Sequence, residues 1–133
     1  MRQAIFPEAL KDAVAASGFS PAVRAGDFLF LTGATGGLED GTMPTDPTTQ
    51  AQNALSKVQS ILEAAGADER HIVEMTTYHT DIATTFAPVQ AIVEAVFSNP
   101  LPAWTAVEVA GLRRASAVVE FRFVAHVPER DAP

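Results

Sequence analysis

The segment 46–66, DPTTQAQNALSKVQSILEAAG, carries the clearest structural signal in the chain. Asp46 can accept hydrogen bonds from the free N–H groups of a first helical turn, and Pro47 suits the first helical position. Gly66 is placed to end the helix in the left-handed conformation. Between these ends, apolar residues recur at spacings of three and four, at Ala51, Ala54, Leu55, Val58, Ile61, Leu62 and Ala65. The segment therefore predicts an amphipathic helix with one buried face.

Strand patterns lie on both sides of this helix. Upstream, Gly26-Asp27 separates two short apolar runs in PAVRAGDFLFLTG (21–33), which predicts a tight hairpin leading into a buried strand at 28–32. Downstream, the pattern predicts a strand at 72–82, a helix from about 84 to 97, and two strands at 103–109 and 117–127. This order favours a layered α+β fold.

The last predicted strand alternates apolar residues, at Val119, Phe121, Phe123 and Ala125. We interpret these residues as lining the sheet face opposite the helices. Because the sequence offers no third helix to cover that face, a partner subunit is the expected cover.

Composition restricts the classes of function. The 133 residues have the length of one domain, and we expect residues 1–133 to form a single domain. Nine basic and sixteen acidic residues give a net charge of −7, which argues against a nucleic-acid partner, because such binding rests on neutralising phosphates. The chain has no cysteine, signal peptide or apolar stretch long enough to span a membrane, so we expect a cytoplasmic protein without a membrane partner.

Five stretches together resemble the Rid family, the reactive-intermediate deaminases also called YjgF-like or endoribonuclease L-PSP-like proteins. They are FSPAVRAGDFLFLTG (19–33), ALSKVQSILEAAGA (54–67), TDIATTFAPVQAIVEAVF (80–97), PAWTAVEVAGL (102–112) and VVEFRFVAHV (118–127). The resemblance implies a chorismate-mutase-like α+β fold, with a mixed sheet of about six strands and two helices packed on one face. It also implies a homotrimer whose small-molecule clefts lie between subunits, and hydrolysis of reactive enamines and imines with no metal or other cofactor.

The resemblance also assigns candidate site residues. Glu120 stands at the position of the family's Glu, a candidate for handling water or protons. Phe19 stands at the position of the family's Tyr, Gln90 at that of its Asn, and Trp104 at that of the Arg that holds the substrate carboxylate. An indole offers one neutral donor where a guanidinium offers a planar fork, so we expect a substrate other than the ordinary 2-imino acids. A neutral or aromatic ligand stacking on Trp104 and Phe19 fits these residue types better.

Each candidate has a plainer interpretation. Glu120, on an otherwise apolar strand, is either a water-activating acid/base or an ion-pair partner of Arg122, two residues along the same strand face. Trp104 either lines a ligand cleft or fills core at a subunit contact. A Phe at position 19 is most often core, and a Gln at position 90 is most often solvated.

Further residues remain open in the same way. Glu108 faces the same way as Trp104 along its strand and is a candidate second polar group in the cleft. Gly33 is a candidate for a backbone contact to the ligand, although turn formation is the plainer interpretation for it. The Arg113-Arg114 pair is either a solvated turn or a means of neutralising an anion at the cleft rim. The three histidines lie on different elements, and their spacing predicts no metal site.

The sequence leaves two main functions open: an enamine or imine hydrolase, and a binding module in which the trimer holds a metabolite without turning it over. Ribonuclease activity ranks last because of the negative charge. The fold alone does not choose among them.

Overall fold

A computed structural model of the chain describes residues 1–128; the final five residues of the predicted domain lie outside the described part. It contains six strands, three α-helices and two short 3-10 turns, the turns at Glu8–Leu10 and Glu69–His71. The strands are β1 (Gln3–Ile5), β2 (Ala22–Ala25), β3 (Phe28–Leu31), β4 (Ile72–His79), β5 (Ala103–Glu108) and β6 (Val119–His126). The helices are α1 (Lys11–Ser17), α2 (Pro47–Ala64) and α3 (Ile82–Val96).

The central helix α2 confirms the interpretation of its sequence. The Asp46 carboxylate accepts a hydrogen bond from the Thr48 backbone N–H at 3.3 Å, and Pro47 is the first helical residue. Gly66 adopts φ 72°, the left-handed conformation expected after the helix end. The local signals at both ends therefore fix this helix where the sequence placed it.

The six strands form one sheet in the order β1-β2-β3-β6-β4-β5. The predicted β2–β3 hairpin is confirmed, with Gly26 at φ 59° in its turn. Strands β4 and β5 run parallel, because helix α3 carries the chain back across the sheet between them; the remaining pairs are antiparallel. The apolar faces of α2 and α3 and the inner face of the sheet form one buried cluster, so the expected mixed six-stranded α+β fold is confirmed.

The prediction that the apolar residues of β6 line the sheet face opposite the helices was wrong. Val119, Phe121, Phe123 and Ala125 are fully buried and belong to the cluster beneath the helices. Their neighbours Glu120, Arg122, Val124 and His126 therefore occupy the opposite sheet face, which we call the open face. The reason is that β6 is a central strand between β3 and β4, where the residues packed against the helices have to be the apolar set.

The open face nevertheless carries apolar surface of its own. Phe28 and Phe30 of β3 are each about two-fifths exposed, at 42% and 41%. Phe30 pairs with Val124, and Phe28 pairs with His126, whose ring centroid lies 5.1 Å from that of Phe28. The exposed apolar surface that a partner subunit would cover therefore lies on β3, not on the apolar residues of β6.

Helix α1 is an element that the sequence did not predict. None of its seven residues is buried. A helix that buries no side chain leaves no apolar stripe in the sequence, which is why its pattern gave no signal. Within residues 1–128, no helix is both long and apolar enough to cross a membrane.

Candidate active site

Glu120 lies on the open face of β6, where it pairs with Tyr78 of β4. A Cβ added to Gly33 would lie 2.5 Å from the Glu120 Oε2 atom, so the carboxylate lies directly against this glycine and would have to shift if the glycine were replaced. The segment is held in place by a backbone bridge, in which Ala34 and Phe121 exchange hydrogen bonds of 2.8 and 2.9 Å. The bridge thus places Gly33 beside Glu120 on the neighbouring strand.

The alternative ion pair of Glu120 with Arg122 is wrong. Within residues 1–128, the acidic partner of Arg122 is Glu74, with Arg122 Nη1 lying 3.9 Å from Glu74 Oε1. Arg122 and Glu74 lie on neighbouring strands. Side chains on adjacent strands face each other across the sheet, which favours this pair over one between residues two positions apart on the same strand. The Glu120 carboxylate therefore takes no part in the ion pair of Arg122 with Glu74.

Phe19 lies at the same end of the sheet as Glu120. The Thr32 hydroxyl donates to the Ser20 carbonyl at 2.7 Å, and the Thr32 N–H donates to the Pro21 carbonyl at 3.0 Å. These bonds hold the segment after Phe19 beside Thr32, the residue before Gly33. The Phe19 ring is 59% exposed, so it is presented at the surface and is not core. Glu120, Gly33 and Phe19 form a group that we call the acidic half-site.

Trp104 lies on the other side of the sheet. It pairs with Met75, a fully buried residue on the helix-covered face, whereas Glu120 pairs with Tyr78 on the open face. The indole ring stacks on Phe86 of α3, with centroids 5.2 Å apart and planes 22° apart. A single chain therefore does not bring Trp104 and Glu120 to one surface.

The indole N–H of Trp104 begins a buried chain of hydrogen bonds. It donates to the Thr77 hydroxyl at 2.9 Å, and that hydroxyl lies 2.8 Å from Nε2 of the fully buried His79. His79 Nδ1 lies 3.0 Å from the Thr85 hydroxyl, which in turn reaches the Asp81 carbonyl at 3.2 Å. Every group is satisfied when Thr77 donates to Nε2 and Nδ1–H donates to Thr85, which requires a neutral imidazole. Burial lowers the pKa of His79 below its ordinary value of 6.5, in keeping with that state.

Glu108 lies on the same sheet face as Trp104, and Gln90 lies on α3, the helix whose Phe86 stacks on Trp104. Glu108 pairs with His79, so it points the same way as Trp104, as the strand alternation indicated. Its Oε1 accepts a hydrogen bond of 3.0 Å from the Ile82 N–H, at the start of α3. Gln90 is half-buried on α3 itself. We call Trp104, Glu108 and Gln90 the aromatic half-site.

Gln50 is a positioning residue that the sequence analysis missed. Its fully buried amide donates to the carbonyls of Pro44 and Ser116 at 2.6 and 3.1 Å, and its Oε1 accepts from the Val118 N–H at 2.9 Å. These bonds tie the chain just before Glu120 to helix α2. The available signal was a polar residue four positions before Ala54, on the apolar stripe of the helix.

The described residues offer no other obvious reaction centre. A groove of about 420 Å³ is lined by the Glu69–Val73 region and by residues 97–102, and its lining includes no member of either half-site. No group of three or more His, Asp or Glu within residues 1–128 is arranged to hold a metal ion. Both ring nitrogens of His79 are engaged by threonines, so the His79-x-Asp81 spacing offers no free imidazole ligand.

A family model described as Endoribonuclease L-PSP matches residues 10–127. Among curated proteins, the RutC family protein YjgH of Escherichia coli K12 is 35% identical over 130 residues, covering 97% of this chain and 98% of the relative. The 2-iminobutanoate/2-iminopropanoate deaminase of the same organism is 40% identical over 75 residues, covering 54% of this chain and 58% of that protein.

Solved structures give the same result. A structure of the protein YjgH superposes with a TM-score of 0.85 at 34% identity, covering 96% of this chain and 97% of the other. The structure of RidA from an Antarctic Psychrobacter bacterium superposes with a TM-score of 0.79 at 27% identity, covering 94% and 99% of the two chains.

Proposed function

Because the chain belongs to the Endoribonuclease L-PSP family, which includes the YjgF and Rid proteins, we propose that it hydrolyses reactive enamines or imines to carbonyl compounds and ammonia. The observation that carries the proposal is the Glu120 carboxylate, which lies against Gly33 on the open face and takes no part in the Arg122–Glu74 ion pair. The relative named as an iminobutanoate and iminopropanoate deaminase supports the same reaction class. The proposal retains the cytoplasmic location expected from the sequence.

In the proposed reaction, Glu120 acts as general base and then as general acid. It accepts a proton from water as the oxygen adds to the imine carbon and passes that proton to the nitrogen, which gives a carbinolamine. It then accepts the hydroxyl proton of the carbinolamine and delivers it to the nitrogen as the carbon–nitrogen bond breaks. An imine and one water thus give one carbonyl compound and one ammonia, and no oxidant, metal or cofactor enters the balance. The Gly33 backbone, fixed beside the carboxylate, is placed to contact the reacting group.

We propose that the cleft forms between two copies of the chain. The acidic and aromatic half-sites lie on opposite faces of one sheet, so only a second copy can bring Trp104, Gln90 and Glu108 to Glu120 and Phe19. The exposed Phe28 and Phe30 supply apolar surface for that contact. A closed ring built from such a head-to-tail contact repeats one site per chain, and a homotrimer is the proposed ring.

The assembly has its own test. Phe30→Glu places a charge in the proposed contact, whereas Leu38→Glu alters an apolar residue that is also exposed, at 48%, and lies in the loop before α2. We expect Phe30→Glu to lower the mass measured by light scattering to that of a folded monomer, and Leu38→Glu to leave a trimer. A wild-type protein that is monomeric at all concentrations would contradict the proposed assembly.

The reaction is tested by ammonia release from imines generated in situ. The panel contains ordinary 2-imino acids and imines that lack a carboxylate on the reacting carbon. We expect turnover of the second group by the wild type, because Trp104 offers no guanidinium to an adjacent carboxylate. Glu120→Gln should lower kcat by roughly 10²–10⁴-fold.

Glu63→Gln is the matched control, because Glu63 is exposed on α2 and its substitution by glutamine removes the same single negative charge. It should retain wild-type kcat. Normal turnover in a stable Glu120→Gln variant would contradict the assigned role of Glu120.

The second candidate function is a binding module without turnover. The observation in its favour is that the only polar atom of the Trp104 side chain is already used inside the chain, by Thr77. Saturable binding of imine analogues with no ammonia release from any member of the panel would favour this function. Nucleic acid is not a proposed partner of either function, because the chain carries a net charge of −7.

A further inference from the structure

Three of the nine Lys and Arg residues gather around the loop that runs from Gly33 to Gly37. The Arg113 guanidinium lies over the Phe19 ring, 5.5 Å from its centroid. The Arg114 guanidinium lies so close to Gly37 that a Cβ at position 37 would collide with it. Lys57 reaches the same loop from α2, and its Nζ donates to the Thr35 carbonyl at 2.7 Å. We call Arg113, Arg114 and Lys57 the basic cluster.

The described residues 1–128 supply no acidic partner to the basic cluster. Within residues 1–128, the ion pairs closer than 4.0 Å involve Asp68 with Arg70 and His71, and Glu74 with Arg122, and none includes a member of the cluster. Burial, and to a smaller extent the positive charge of Arg114, lower the pKa of Lys57 below its ordinary value. Like charges that are held together without an acidic partner among residues 1–128, in a chain of net charge −7, favour the binding of an anion at the cluster.

The cluster adjoins the acidic half-site. Arg113 rests on Phe19, a member of that half-site, and Arg114 touches the far end of the loop whose first residue, Gly33, abuts Glu120. Four residues of extended chain span at most about 13–14 Å, which is the upper limit of the separation between the two ends of this loop. The cation–π contact with Phe19 holds the Arg113 guanidinium beside the acidic half-site.

We infer that Arg113 and Arg114 recognise an anionic group of the substrate, and that this group is separated from the reacting carbon by several bonds. The inference rests on the proposed hydrolase function and specifies its substrate class. In an ordinary 2-imino acid the carboxylate is attached directly to the reacting carbon, where this chain offers Trp104. A distal carboxylate instead reaches the turn between β5 and β6 while the imine carbon lies at Glu120. Lys57 supports the same anion from the side of α2.

The test compares 4-iminopentanoate, whose carboxylate is two methylene groups from the imine carbon, with its neutral methyl ester. We expect the wild type to prefer the acid in kcat/KM. In Arg113→Gln/Arg114→Gln that preference should fall by roughly 10- to 100-fold, because charge-assisted hydrogen bonds to the carboxylate are lost. Arg2→Gln, an exposed residue next to strand β1, is the charge control and should keep the preference.

The possible results distinguish failure of this inference from failure of the proposed hydrolase function. Equal turnover of acid and ester by the wild type, or an unchanged preference in the double variant, would overturn the inference and leave the hydrolase function standing. If the wild type hydrolyses neither compound, the proposed function fails and calorimetric binding of glutarate decides about the cluster. Binding that the double variant alone weakens supports the anion site, and no binding to the wild type overturns it.

Discussion

The acidic and aromatic half-sites differ in what their polar atoms do. Around Trp104, the indole N–H and both His79 nitrogens are hydrogen-bonded within the chain, and the Glu108 carboxylate accepts a bond from the start of α3. Around Glu120, the carboxylate lies against Gly33 and takes no part in the nearby Arg122–Glu74 ion pair. The polar atoms around Trp104 are thus satisfied within the chain, whereas the acidic half-site is more exposed, so equivalent substitutions should cost more stability in the first region than in the second.

The largest contrast should come from removing an aromatic ring in each region. Trp104→Ala removes the stack on Phe86 and the bond to Thr77, and should lower the free energy of unfolding by about 2–4 kcal/mol. Phe19→Ala removes an exposed ring and should cost less than about 1 kcal/mol. Urea denaturation of the two variants measures both values, and equal losses would break the distinction between the half-sites.

Gly33→Ala should damage activity more than stability. The new Cβ would lie 2.5 Å from Glu120 Oε2, so the carboxylate has to move. We expect kcat to fall on the order of 10- to 100-fold, since displacements of about 1 Å at a reacting group have effects of this size. Gly111→Ala is the matched control, because a Cβ there meets nothing within 4 Å. Wild-type kcat in Gly33→Ala would show that the position of the carboxylate is unimportant.

The smallest effect concerns pH and the aromatic half-site. The pKa of folded His79 is lowered below 6.5 by burial, so the unfolded chain binds more protons in the interval between the folded pKa and 6.5. The stabilisation by neutral His79 is therefore full above pH 6.5 and is lost as pH falls towards the folded pKa. Denaturation curves of the wild type should show this loss, and His79→Gln should reduce it.

His126→Gln is the control for the pH experiment, because His126 is exposed on the open face. It should keep the wild-type pH dependence of stability. Identical curves for His79→Gln and the wild type would contradict the neutral, hydrogen-bonded state assigned to His79.

The parts of the fold that the sequence predicted are those with local causes. Helix α2 is specified by Asp46, Pro47 and its own apolar stripe, all within one segment. The face that Glu120 occupies depends on the strands beside β6, which lie far away in the chain, and the alternation along β6 does not identify the covered side. Helix α1 buries nothing and so had no pattern to detect.

The candidate site was predictable to a similar extent. Strand alternation correctly placed Glu108 on the same side as Trp104, because both lie on β5. It gave no relation between Trp104 and Glu120, since that relation is set by the registers of β5 with β4 and of β4 with β6. The placement of Gly33 beside Glu120 likewise depends on a bridge between residues 34 and 121, which no local spacing reveals.

Complementation between two inactive variants shows whether the hydrolytic site is completed by two copies of the chain. Glu120→Gln and Trp104→Ala are co-expressed with different tags, and assemblies that contain both chains are isolated and assayed for ammonia release. Each variant alone should be inactive, whereas trimers that contain both chains should regain about a third of the wild-type activity, because one of the three contacts in each such ring joins an intact acidic half-site to an intact aromatic half-site. Mixed assemblies that remain inactive, although the wild type is active, would contradict a site completed by two copies of the chain.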